Sequence, residues 1–74
     1  MDVQLITLLY VFRIQNKVIL LKDNKAINNI TTIEDVIIND YYGHAMSLVD
    51  HVEIKKAGGI FNINEYLFIE IYLK

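Results

Sequence analysis

The 74-residue chain contains no cysteine and no proline, and only three glycines. Without cysteine there is no disulfide framework and no thiolate metal site, which is compatible with a reducing compartment. Positive charge is also scarce: seven Lys and Arg stand against nine Asp and Glu, for a formal charge of −2. No global positive field attracts nucleic acid, so any basic patch is local and small. Long apolar runs are missing too. The richest, "VQLITLLYVF", spans about ten residues, half of the ~20 that a membrane-spanning helix requires. Thr7 interrupts it, Arg13 closes it, and Asp2 stands where a signal peptide carries Lys or Arg. These absences predict a soluble, unprocessed protein of the cytoplasm (a host cytoplasm if the source is viral), without membrane contact.

What is present is a dense supply of apolar side chains. Hydrophobic residues make up 54% of the chain, enough to support a packed core and to argue against disorder. The length allows one small domain, residues 1–74, which buries roughly 60% of its unfolded surface and gains from association. Heavy use of Ile, Asn, Lys and Tyr suits an A/T-rich genome.

Along the chain, Val3 to Ile14 is apolar on both parities and rich in β-branched and aromatic residues, which predicts a strand covered on both faces. "QNK" is a polar break, and "VILLK" predicts a second strand completing a hairpin. "DNKAINN" reads as a loop with a short extended piece at Ala26 and Ile27. From Ile30 the period changes. Thr31 with Glu34, or Thr32 with Asp35, has the spacing of a helix N-cap. Ile33, Val36, Ile37, Tyr41, Ala45 and Leu48 then recur at three and four residues, predicting one helix, broken at Gly43. "HVEIKK" alternates again, with Val52 and Ile54 inward, and "AGG" supplies a turn with φ > 0 at Gly58 or Gly59. "IFNIN" predicts a short strand or bend. The closing "EYLFIEIYLK" places Leu67, Ile69, Ile71 and Leu73 on a core parity and Tyr66, Phe68 and Tyr72 on the other.

The predicted order is strand, strand, helix, strand, short strand, strand. With "TIEDV" opening the helix, "VEIKKAGG" running into an Ala-Gly turn, and the Leu-x-hydrophobic alternation of "EYLFIEIYLK", this order resembles the β-grasp or ubiquitin-like fold. "TTIEDV" through "GHAMSLVDHVEIKKAG" also resembles the TGS domain, a β-grasp module appended to GTPases and synthetases. The resemblance implies an α+β domain, a mixed sheet packed on one helix; a ferredoxin-like fold or a β-β-α-β-β dimer is the alternative. Conjugation and sulfur carriage in this superfamily need a C-terminal Gly-Gly, whereas this sequence stops at Leu73-Lys74, so those activities are not expected. The likeness carries a recognition role to Phe68, which falls at an outward position of the last strand. It does not carry one to Lys55, which stands where ubiquitin presents an apolar residue.

Catalytic and metal patterns are thin. Asp40, His44 and His51 form the one acid-histidine group, and Asp40 and His44 sit four apart. Without a clear third ligand, a surface ion pair is the favoured reading over a metal site. Ser47, the sole serine, has no glycine elbow, and "AGG" lacks the phosphate-loop pattern. Glu34 and Asp35 suit helix capping better than acid-base catalysis. No enzyme, cofactor or metal is implied.

The expected function is therefore that of a non-enzymatic interaction module. Tyr66, Phe68 and Tyr72, with Lys55 beside them, would bind a protein partner or a second copy of the chain. Two alternatives stand beside it. One is RNA binding of the TGS kind, with bases on the aromatics and Lys55, Lys56 and Lys74 at phosphates. The other is a small viral or mobile-element protein that inhibits a host factor.

Overall fold

Short alternating runs build a sheet, and two very short helices cover one side of it. The computed structural model describes residues 2–59 and 64–74. Strand β1 (Lys17–Lys22) turns through Asp23 and Asn24, both at positive φ, into the two-residue strand β2 (Lys25–Ala26). Paired left-handed residues match the twist of a tight hairpin, and Asp and Asn tolerate that region best among side-chain-bearing residues. Strand β3 (Thr31–Thr32) pairs with the start of β1. Strands β4 (Val49–Ala57) and β5 (Tyr66–Leu73) form the long antiparallel arm. β5 runs parallel to β1, giving the order β2-β1-β5-β4. Among the described residues the chain is thus an α+β domain with a mixed five-stranded sheet.

The N-terminal run is not a strand. Leu5–Leu9 forms a single helical turn and a half, α1, with Leu5 and Leu9 buried on one face. A helix this short is unstable alone, and its Gln4 cap offers no side-chain bond. Its free amides are met instead by the carbonyls of Ser47 and Ala45, at 2.9 Å from Leu5 N and Ile6 N. The place beside β5 that an N-terminal strand would occupy belongs to β1. Helix α2 (Ile33–Ile38) begins where expected: Thr32 Oγ1 accepts from Asp35 N at 3.1 Å. The carbonyls of Asn16 and Ile14 take the Ile33 and Glu34 amides.

α2 ends earlier than its apolar period suggests. Asn39 closes it, and Asp40, Tyr41, Tyr42 and Gly43 all adopt positive φ. Each left-handed non-glycine residue costs about 1–2 kcal/mol, so this turn is held by its surroundings. Tyr42 Oη donates to Asp35 Oδ2 at 2.8 Å, and Tyr41 and Tyr42 pack against the core. Consequently the expected buried stripe stops short: Ile33 and Val36 are buried, whereas Ile37 and Leu48 are exposed.

The core lies between the two layers. Val18 and Leu20 of β1, Ile69, Ile71 and Leu73 of β5, and Val49 of β4 meet Leu5, Leu9, Ile33 and Val36. Leu67 shares the inward parity but is 65% exposed, and Ile54 is 59% exposed. Length explains this. Five- and six-residue helices reach ~9 Å, while an eight-residue strand extends ~26 Å, so the far end of the β4–β5 arm outruns its cover. Both Gly58 and Gly59 at the end of β4 take positive φ, as the turn requires. The short strand expected over "IFNIN" falls mainly on residues 60–63, outside the described residues.

Candidate interaction face

The sheet face away from the helices is assembled by strand register. On β5 it carries Tyr66, Phe68, Glu70 and Tyr72; opposite them on β4 stand Ala57, Lys55, Glu53 and His51. From β1, Ile19 lies beside Glu70 and Leu21 beside Tyr72. The three predicted aromatics therefore share one face with Lys55, as their parity dictates. They are half-buried rather than open, because neighbouring strands supply side chains on both flanks.

At one end, the Tyr66 and Phe68 rings meet at 6.4 Å, tilted by 55°. The Lys17 ammonium sits 5.3 Å above the Tyr66 ring, within cation–π range. At the other end, His51 stacks flat on Tyr72, with centroids 4.3 Å apart and planes 7° from parallel. Both ring nitrogens of His51 are engaged: Nδ1 lies 2.6 Å from Asp50 Oδ2 and Nε2 3.1 Å from Glu53 Oε2. These carboxylates, Asp50 first and Glu53 second, raise the histidine above its ordinary value. In return the imidazole lowers Asp50, and His51 followed by Lys55 lowers Glu53. Tyr72 donates to Glu70 Oε1 at 2.9 Å, which pushes its phenol up to about 12.

Between the two aromatic ends lies an acidic centre, where Glu53 and Glu70 face each other across the β4–β5 ladder. Lys55 Nζ turns to Glu53 Oε1 at 3.3 Å. The other lysines invoked for phosphate contact lie elsewhere. Lys56 is on the opposite parity and pairs with Glu65 at 3.5 Å, while Lys74 Nζ is 3.5 Å from Asp2.

The Asp40–His44 ion pair expected from helical spacing does not form, because the helix ends before Asp40. His44 Nδ1 lies 3.1 Å from Ser47 Oγ instead, and His51 belongs to the sheet cluster. Among the described residues no group of three His, Cys, Asp or Glu side chains is arranged to hold a metal.

Four contributors to the face are not visible in the sequence pattern. His51 was hidden by the irregularity between Val49 and His51, which resets parity in β4. Lys17, Ile19 and Leu21 reach it through the parallel β1–β5 pairing, which no local pattern announces. On the helical side, a cavity of about 170 Å³ lies among Ile6, Leu9, Tyr10, Phe12, Ile14, Ile37 and Tyr41. That volume is below the ~300–1,000 Å³ of small-molecule sites and suits one apolar side chain.

No helix among the described residues is long and apolar enough to cross a membrane. Comparison with protein-family models, with curated proteins and with solved structures finds no match.

Proposed function

We propose that the chain is a non-enzymatic interaction module of β-grasp type whose outer sheet face, Tyr66, Phe68 and Tyr72 with Lys55, receives a protein partner. The fold part of this reading is supported by the strand order β2-β1-β5-β4, with an N-terminal hairpin strand parallel to the last strand at the centre. The short α1 preceding that hairpin is a departure from the resemblance.

The observation that carries the functional part is the composition of the face: three aromatic rings fixed on a sheet with charges of both signs between them. Rigid aromatics flanked by satisfied polar groups are the usual anchors of protein interfaces. A protein is favoured over RNA because Glu53 and Glu70 occupy the centre of the face, and Lys56 and Lys74 are not on it. Phe68→Ser removes an anchor without opening the core. Captured partner should fall with Phe68→Ser and stay unchanged with Met46→Ser, a substitution at an exposed site away from the sheet. Equal capture by both variants would refute the assignment.

A further inference from the structure

Among the described residues β4 is an edge strand of the sheet, nine residues long, with one side hydrogen-bonded to β5. At its beginning the other side is covered. Val49 N donates to Val3 O at 2.8 Å, and Gln4 bridges to Leu48. From Asp50 to Ala57, among the described residues, nothing pairs with that side. An open edge of this length is a template for another strand.

The sequence of the edge selects what that strand is. Its first half is acidic, Asp50 and Glu53, and its second half is basic, Lys55 and Lys56. An antiparallel copy of the same strand brings each acidic half against a basic half. Registers that keep the outer faces on the same side differ in which residue sits on the two-fold axis. With Glu53 on the axis, two carboxylates collide; with Lys55 there, two ammonium groups collide. With Ile54 on the axis, Glu53 of each copy faces Lys55 of the other, and like charges are avoided at both positions. The same register sets Ile54 against Ile54, on the inward parity, and so covers a side chain that the short helices leave 59% exposed. Lysines on an edge ordinarily keep foreign strands away. Here the register centred on Ile54 meets Lys55 with Glu53, while Lys56 keeps Glu65 of its own chain.

We propose that β4 pairs antiparallel with β4 of a second copy of this chain, centred on Ile54, to form a two-fold dimer with one continuous sheet. This contact runs along the free edge of β4; it shares Glu53 and Lys55 with the aromatic face but does not rest on the assignment of that face. Closed two-fold contacts of this kind are self-complementary by construction. The dimer places both aromatic faces on the same side of the extended sheet.

Sedimentation equilibrium across a concentration series tests the pairing. Wild type should show a reversible monomer–dimer equilibrium. Glu53→Lys and Lys55→Glu each replace two attractive contacts with two repulsive ones and should weaken dimerisation about tenfold or more. The double variant, Glu53→Lys with Lys55→Glu, restores opposite charges and should recover dimerisation. Ile54→Asp, at an exposed position, should leave a folded monomer by circular dichroism. A wild type that stays monomeric at its highest soluble concentration overturns the proposal, as does a dimer indifferent to the single charge reversals. A photo-crosslinking probe at position 68 in the Ile54→Asp background keeps the two surfaces apart: its partner adduct reports on the sheet face whether or not the edge pairs.

Discussion

Thr32 shows how much one side chain settles. Its hydroxyl caps α2 through Asp35 N, and β3 ends at the same residue, so strand and helix are joined without a loop. Thr32→Ala should cost about 1 kcal/mol, read from the urea midpoint with an unchanged slope. This cap was legible, because the Thr-x-x-Asp spacing is local. His51 was not, since its partner Tyr72 is reached only through strand register. Its titration follows from its contacts. The raised value means the folded chain holds the proton more tightly than the unfolded chain. That stabilisation is complete below the ordinary 6.5 and is lost as pH rises through the higher folded value. For Asp50 and Glu53, ordinarily 3.8 and 4.5, stabilisation is complete above those values and is lost as pH falls through the lower folded ones. The cluster therefore stabilises most between pH 4.5 and 6.5. NMR titration of the His51 ring should give a midpoint above 6.5, and His51→Gln should flatten the stability profile on the alkaline side; a midpoint at or below 6.5 would contradict the stacked, doubly bonded geometry.

Among the elements, β4 and β5 were readable because alternation in "HVEIKK" and "LFIEIYL" has the period of a strand and little else. α1 departs from its sequence pattern for an equally physical reason. A run apolar on both parities fits a doubly covered strand, and nothing within Val3–Ile14 reveals that β1 takes the place beside β5. Leu5, Leu8, Leu9 and Phe12 recur at helical spacing within it, and all four lie in or against the core. α2 was predicted too long because apolar periodicity continues through Tyr41 while the backbone reverses at Asp40. Parity, in turn, states which face a residue takes but not whether that face is covered. Leu67→Ala and Leu5→Ala separate the two. Leu5 is fully buried, so its truncation should cost about 2–5 kcal/mol. Leu67, on the uncovered end of the arm, should change stability by no more than about 0.5 kcal/mol. Thermal or urea unfolding of the two variants side by side checks the overhang.

For the whole molecule, two layers leave one sheet face outside, and the described residues supply no third layer to cover it. Half-burial of Tyr66, Phe68 and Tyr72 by their neighbours makes that face tolerable in water while keeping its rings in fixed positions. The face was legible as a parity and became a surface only through β1, which supplies Lys17, Ile19 and Leu21. Its division into two aromatic ends around Glu53 and Glu70 is a property of the assembled sheet alone. The most direct measurement is photo-crosslinking with a benzophenone amino acid at position 68, in the cells that make the protein, against the same probe at position 46. The sheet-face assignment predicts a discrete protein adduct from position 68 and none from position 46. Equal yields at the two positions, or no adduct from position 68, would contradict it.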